Sequence, residues 1–163
     1  MKKTWQQKLE DKAGYPKVLK LEKRFPCYNA AHKMGAEIGD DIVLVNPSEV
    51  TSEMQKVPEG RLTTVADICK RIAARHDVAA CCSLTAGIFV STAANAVEED
   101  AGQGKNLDIP YWRTLKSDGF LNEKFPGGVE SHRVLLEREG FTVTGKGKRL
   151  YVEDYQNYLV RDC

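Results

Sequence analysis

The sequence predicts a mixed α/β fold: a winged helix-turn-helix domain over residues 46–163, preceded by a short β-containing extension over residues 1–45. Three observations predict this fold. Two runs near the N-terminus are rich in β-branched residues and leucine, three central segments have helical periodicity, and a Gly-Lys turn separates two strand-like runs near the C-terminus. With 163 residues, 42% of them hydrophobic, the chain can bury one sizeable core.

The N-terminal extension contains the two short strands that we predict first. They are "KVLKLE" at 17–22 and "DDIVLV" at 40–45, with a turn-rich segment between them. The basic start "MKKTWQQKLEDK" lacks the apolar run of a signal peptide, and no window approaches the roughly 18 apolar residues of a membrane span. We therefore expect a cytoplasmic protein that has no membrane partner.

Capping residues define the first two helices of the predicted domain. Asn46, the following proline and Glu49 predict a helix of about ten residues, which "PEG" at 58–60 ends. The second helix, "TVADICKRIAARH", begins after Thr64, which forms a capping box with Asp67. Two helices joined by a short loop, followed by a third helix and a hairpin, form a winged-helix arrangement.

The third helix is predicted from Thr85 to about Glu99, after a loop "DVAACCS". One of its faces has unusually small side chains, those of Gly87, Ser91, Ala94 and Asn95. Small side chains allow close approach of another surface, so this face packs against a neighbouring helix or against a nucleic acid. The residue pattern leaves both interpretations open.

Turn residues organise the C-terminal third. "YWRTL", the turn "KSDG" and "FLN" predict a hairpin, and "VESHRVLLEREG" predicts a helix with Gly140 at its C′ position. "FTVTGKGKRLYVEDYQNYLV" predicts a strand, a turn, a second strand and a short closing helix. A β-hairpin that follows the third helix of such a domain is typical of a wing.

Charge and cysteine content narrow the function classes. The net charge is only +1, but residues 61–76 hold four basic and one acidic side chain, so one face of the fold can be basic. Double-stranded DNA therefore remains a candidate partner. The five cysteines have no metal-ligand spacing, and we predict neither a disulfide framework, nor a metal site, nor a cofactor.

Four motifs together carry a family resemblance. "VPEGRLTTVADI", "PYWR", "SDG" and "FPGGVESHRVLLEREG" resemble, over about residues 48–143, the DNA-binding domain of the alkylguanine-DNA alkyltransferases and their alkyltransferase-like relatives. The opening motif matches at Val57–Pro58, Gly60, Thr64 and Ile68. The frame of the active-site motif matches at Pro110 and Arg113. The final helix and the glycine pair before it match at Gly127–Gly128, Leu135–Leu136 and Glu139–Gly140.

The departures from the family pattern concern its chemistry. The resemblance places Tyr111 at the position of the family's acceptor cysteine and Trp112 at that of the histidine that activates it. A phenol with a pKa of about 10 and an indole that only donates a hydrogen bond cannot form a thiolate nucleophile. We expect no alkyl transfer, so no catalytic residue is assigned.

The resemblance implies a lesion pocket made of Pro110, Tyr111, Trp112, Arg113 and Glu139. Tyr111 would either stack on a flipped base or fill the pocket. Glu139 corresponds to the family's relay glutamate; here it would accept a hydrogen bond from the indole of Trp112 or pair with Arg113.

The resemblance also implies where DNA would be contacted. The family's tyrosine at the start of the second helix is Val65 here, and the arginine that replaces the flipped base has no clear counterpart. The expected contacts come from helix starts, basic residues, the small face of the third helix and the glycine pair, namely Thr64, Val65, Lys70, Arg71, Arg75, Ser83, Thr85, Gly87, Ser91, Asn95, Gly127 and Gly128.

Three functional hypotheses follow. The first is a non-enzymatic alkyltransferase-like protein that senses alkylated or otherwise modified guanine in DNA, with downstream repair proteins as further partners. The second is a winged-helix module with a closed pocket, used for protein–protein contact or non-specific DNA tethering. The third is a methyltransferase whose nucleophile has moved to Cys69, Cys81 or Cys82.

Overall fold

A computed structural model describes residues 4–10 and 15–160 and confirms the mixed α/β class. The helices and strands follow in the order α1 (Trp5–Glu10), β1 (Lys17–Lys20), α2 (Tyr28–Lys33), β2 (Asp41–Leu44), α3 (Pro47–Gln55), β3 (Thr63–Thr64), α4 (Val65–Arg75), β4 (Ala80–Cys81), α5 (Ser83–Gly102), β5 (Thr114–Leu115), α6 (Gly128–Arg138), β6 (Val143–Lys146) and β7 (Arg149–Val152). Two 3₁₀ turns, Tyr111–Arg113 and Tyr155–Tyr158, complete the list.

The N-terminal extension contains both predicted strands, β1 and β2, which pair antiparallel. It also contains two short helices that the sequence analysis did not predict. Helix α2 lies in the segment that we expected to be only turns, and α1 packs against α5, where Glu99 accepts hydrogen bonds from the backbone N–H groups of Trp5 and Gln6. Each has six residues, too few to give a clear periodic signal.

The predicted loop "DVAACCS" contains a strand, so that prediction is corrected. Strand β4 pairs parallel with β2, and Ile42 lies opposite Ala80. Two residues cannot produce an alternating pattern, and both are buried. The resulting sheet, in the order β1-β2-β4, includes strands from both sides of residue 45, and the division of the chain at that residue stays a prediction.

Capping places the central helices as predicted. The side chain of Asn46 accepts a hydrogen bond from the N–H of Ser48 at 2.9 Å at the start of α3, and that of Thr64 accepts from the N–H of Asp67 at 3.1 Å at the start of α4. Helix α5 extends beyond its predicted bounds at both ends. Within residues 4–10 and 15–160, no helix has both the length and the apolar composition needed to cross a bilayer.

The hairpin predicted from "YWRTL" and "FLN" is wrong. Tyr111–Arg113 forms a 3₁₀ turn, and β5 pairs parallel with β3 instead. The "KSDG" segment does turn, but Phe120 beyond it bridges to Tyr151 of β7. The N–H of Lys116 donates to the carbonyl of Phe120 across this turn at 3.0 Å, but the strand partners of both arms lie far away in sequence, which the local pattern does not encode.

The C-terminal elements follow the prediction. Helix α6 ends next to Gly140, whose positive φ of 93° suits a glycine at C′. Strands β6 and β7 pair as an antiparallel hairpin, in the place predicted for the wing, and the 3₁₀ turn Tyr155–Tyr158 provides the closing helix. The name winged helix itself stays a prediction.

The cap of α4 supports a test of the fold. We expect Thr64→Ala to lower the free energy of unfolding by about 1 kcal/mol, because the N–H of Asp67 loses its acceptor. Urea unfolding would measure the change. The control is Thr51→Ala on α3, whose hydroxyl donates only to a carbonyl of its own helix and should change stability little; equal losses in the two variants would contradict the capping role.

Candidate nucleic-acid interface and its pocket

Glu139 holds the turn that carries the motif "PYWR". Its carboxylate accepts a hydrogen bond from the indole Nε1–H of Trp112 at 2.5 Å and another from Nε of Arg113 at 3.0 Å. The backbone N–H of Gly60 donates to it at 3.3 Å, and a second guanidinium nitrogen of Arg113 donates to the carbonyl of Val57 at 2.8 Å. Both partners that we considered for Glu139 are present, and this carboxylate is neutralised by Arg113.

His132 fixes the same turn from the other side. It is 1% exposed; its Nδ1 accepts from the N–H of Asn122 at 3.1 Å, so Nε2–H donates to the carbonyl of Trp112 at 2.8 Å. Burial lowers the pKa of His132 to about 4, although the Trp112 carbonyl opposes this shift. The sequence analysis missed His132, which lies one turn before the buried Leu136 on the inward face of α6.

The side chain of Tyr111 is enclosed rather than open to a ligand. Its ring is 2% exposed and makes edge-to-face contacts with Trp112 and Phe125, with centroids 5.4 and 5.2 Å apart. Its hydroxyl donates to Oε1 of Glu98 at 3.0 Å, and burial, with the negative charge of Glu98, raises the pKa of Tyr111. Of our two interpretations of Tyr111, stacking on a flipped base or filling the pocket, this geometry favours the second.

A cavity of about 500 Å³ lies beside the Tyr111 hydroxyl, between the end of α5 and the outer face of α6. This volume is within the range of about 300–1,000 Å³ that holds small ligands. It is lined by Glu98, Tyr111, Pro126, Gly127, Glu130, Ser131, Val134, Leu135 and Arg138. The sequence analysis assigned two of these residues to the site, Tyr111 and Gly127, and missed Glu98.

Gly127, the first residue of the glycine pair, lies at the edge of this cavity. Gly127 and Gly128 have positive φ angles of 80° and 72°, which other residues rarely adopt. A Cβ atom on Gly127 would lie 2.0 Å from Oγ of Ser131, so a larger residue would push into the first turn of α6. Glycine is thus needed at Gly127 to let the chain enter α6 at the cavity edge.

The start of α4 offers little surface for DNA. Thr64 and Val65 are 3% and 8% exposed, and the hydroxyl of Thr64 is engaged as the helix cap. Pro110 is also buried, beneath the turn that it precedes. Thr64, Val65 and Pro110, which the sequence analysis assigned to the site, are therefore buried residues that support the local backbone.

The basic residues of α4 differ in their availability. Arg71 and Arg75 both pair with Glu53, a carboxylate only 3% exposed, at 3.3 and 3.2 Å. Arg71 also donates to the hydroxyl of Thr63. Lys70 is exposed, and within the described part of the chain no ion pair holds it. Arg71 and Arg75 are thus engaged with the buried carboxylate of Glu53, whereas Lys70 is available to contact a phosphate.

The five predicted contacts on α5 are partly exposed, namely Ser83, Thr85, Gly87, Ser91 and Asn95. Between them lie Leu84 and Ile88, which are 54% and 59% exposed and which the sequence analysis did not select. Helix α5 contains no Lys or Arg. Its outer face is therefore small and apolar, and it leads towards Glu98 at the cavity.

Residues 47–141 match the family model described as the DNA-binding domain of 6-O-methylguanine DNA methyltransferase. The chain belongs to this family. The match includes α3 to α6 and the Pro110–Arg113 turn, so the family assignment covers the cavity and the residues that build it. A comparison with curated proteins finds no significant match.

Two solved structures resemble the fold of this methyltransferase-family protein. One is S. pombe ATL in complex with DNA, with 15% identity and a TM-score of 0.53. The other is S. pombe Atl1 in complex with damaged DNA containing O6-carboxymethylguanine, with 16% identity and a TM-score of 0.49. Each alignment covers 71% of this chain and 94% of the solved chain. At this identity the first likeness establishes the fold alone.

The thiols of this methyltransferase-family chain are poorly placed for the family's chemistry. Cys69, Cys81 and Cys82 are 0%, 1% and 5% exposed. A hydrogen bond with Cys69, together with burial, raises the pKa of Cys81. A buried thiol that stays protonated cannot attack an alkyl group on DNA.

Proposed function

We propose that this protein is a non-enzymatic, alkyltransferase-like DNA-binding protein that senses alkylated or otherwise modified guanine without repairing it. One observation carries the proposal: a cavity of about 500 Å³ is lined by Tyr111, whose hydroxyl donates to Glu98, and the family resemblance places the acceptor cysteine at this tyrosine. In this proposal the cavity holds a modified base, and the side chain at the acceptor position is not a nucleophile.

Family membership and fold both support DNA as the partner. The matched family model is a DNA-binding domain, and the S. pombe ATL structure with a TM-score of 0.53 is a complex with DNA. The small outer face of α5, which continues to the cavity, suits close approach to a duplex. Lys70 would contact phosphate, and the glycine pair would let the backbone approach an extruded nucleotide.

Blocking the cavity tests the proposal. We expect fluorescence anisotropy to show tighter binding to a duplex with one modified guanine than to the unmodified duplex. Val134→Trp should abolish that difference, because a bulky ring at this exposed cavity residue fills the space, while binding to unmodified DNA stays the same. The matched control is Val134→Ala, which leaves the cavity open and should keep the preference.

Equal affinity of the wild-type protein for the two duplexes would refute lesion sensing. Intact-mass spectrometry after incubation with O6-methylguanine DNA should show no added methyl group, since the three cysteines of the third hypothesis are buried. A mass gain of one methyl on a cysteine peptide would instead revive the hypothesis of a relocated nucleophile.

One observation favours the second candidate, a protein-binding module. Leu84 and Ile88 expose apolar surface on a helix without cations, as docking faces for proteins often do. This module would show no affinity for DNA even at low salt. Simple phosphate tethering would give an affinity that falls steeply with salt for any DNA sequence.

A further inference from the structure

The carboxylate of Glu98 is the polar group that would meet a base in the cavity. Its Oε1 accepts from the Tyr111 hydroxyl at 3.0 Å, and the described residues give its Oε2 no hydrogen-bond partner and the carboxylate no ion pair. Glu130, the other acidic lining residue, pairs with Arg133 at 2.6 Å. Glu98 is exposed to solvent, and its Oε2 is therefore an acceptor that is available to a ligand in the cavity.

The rest of the lining suits a flat ring with one polar edge. Pro126, Val134 and Leu135 are apolar lining residues, whereas Glu98, which accepts a hydrogen bond from the Tyr111 hydroxyl, is a polar one. Arg138, in the last turn of α6, is the lining cation and could meet the phosphate of the same nucleotide. A few convergent polar groups in an apolar cleft fix the orientation of a ligand.

We propose that this cavity prefers guanine alkylated at ring nitrogen N7, a cationic base, over guanine alkylated at O6, and that Glu98 determines this specificity. The inference rests on the proposed function and names the lesion class for the same site. The absence of the family's cysteine does not imply this preference, because a pocket without that cysteine could bind guanine alkylated at either position.

The chemistry of the two lesions explains the preference. Alkylation at O6 keeps the ring neutral and turns N1 from a donor into an acceptor, which a carboxylate repels. Both lesions keep the exocyclic amine as a donor, but alkylation at N7 also leaves N1–H as a donor and gives the ring a positive charge, which a carboxylate stabilises. The phenol of Tyr111 already donates to Oε1, so Oε2 is the atom that would accept from N1–H or the amine.

The experiment compares three duplexes at one salt concentration: unmodified, with O6-methylguanine, and with N7-methylguanine stabilised against depurination by a 2′-fluoro sugar. By fluorescence anisotropy we expect the N7-methyl duplex to bind at least about tenfold tighter than the O6-methyl duplex. Glu98→Gln should reduce this ratio about tenfold, because the amide keeps the Tyr111 hydrogen bond but removes the charge. The control Glu137→Gln, at an exposed carboxylate of α6 that does not line the cavity, should keep the ratio.

The outcomes separate the two proposals. Equal or tighter binding of the O6-methyl duplex by the wild-type protein would overturn the N7 preference while leaving lesion sensing intact, and an unchanged ratio in Glu98→Gln would overturn the role of this residue. Equal binding of all three duplexes would overturn the proposed function itself. The ratio of affinities for the N7-methyl and O6-methyl duplexes is measured with the wild-type protein. The N7 preference is therefore tested even if Glu98→Gln fails to fold.

Discussion

We expect Glu139→Ala to lower the free energy of unfolding by about 3–5 kcal/mol, because it leaves the guanidinium of Arg113 without its anion in a largely buried site. The side chains of Arg113 and Glu139 are only 15% and 9% exposed, so water cannot take the place of the lost partner. The indole of Trp112 and the N–H of Gly60 lose their acceptor as well. The midpoint of thermal unfolding should fall by roughly 10 °C.

The control for this prediction lies two residues earlier on α6. Glu137 is exposed, and its nearest ion-pair contact, with Arg133, is at 4.0 Å, so Glu137→Ala should change stability by less than about 0.5 kcal/mol. Glu139→Gln separates charge from hydrogen bonding: it keeps acceptance from Trp112 but leaves Arg113 unpaired. Similar unfolding curves for Glu139→Ala and Glu137→Ala would show that the cluster does not support the fold.

Local sequence rules predicted the parts of the fold that depend on neighbours in the chain. The caps Asn46 and Thr64 act within three residues, and the C′ glycine Gly140 ends α6 through its own backbone conformation. The motif residues Trp112 and Glu139 were predicted to meet because the family resemblance supplies a contact across 27 residues. Periodicity alone would not have joined them.

The pairing of short strands that lie far apart in the chain could not be predicted from the sequence. Strands β3 and β5 have two residues each and lie about 50 residues apart, so neither carries an alternating pattern or a turn that points to the other. Helix α2 lacks a side-chain cap, and nothing marks its start. The short turn at Tyr111–Arg113 forms because Glu139 and His132 hold it from two sides, and both belong to or adjoin α6.

The sequence also could not show which charged side chains of the candidate site have partners. Arg71 and Arg75 looked like phosphate contacts because a sequence shows their charge but not the depth of Glu53, which lies 18 residues before Arg71. The sequence analysis did not select Glu98, an exposed residue near the end of α5, because only the fold places the Tyr111 hydroxyl against it. In both cases the partner decides what the ionised group can do, and the partner is known only once the helices are packed.

We expect acid to destabilise the protein through His132. Burial puts its pKa at about 4 in the folded state, against an ordinary value of 6.5, so as the pH falls from 6.5 the unfolded chain takes up a proton that the folded chain refuses. The stability contributed by neutral His132 is present in full above pH 6.5 and is lost as the pH falls towards 4. The shift corresponds to roughly 3 kcal/mol.

Urea unfolding between pH 4 and 7 measures this contribution, and a variant isolates it from the carboxylates that also titrate there. His132→Gln should be less stable at pH 7, because the Trp112 carbonyl and the Asn122 N–H lose a well-placed partner, but its stability should fall less steeply with acid than that of the wild type. His32→Gln is the matched control, since His32 lies exposed on α2 and should leave the slope unchanged. Parallel pH profiles for the wild type and His132→Gln would mean that His132 is not held neutral, and the tautomer that fixes the Trp112 carbonyl would have to be abandoned.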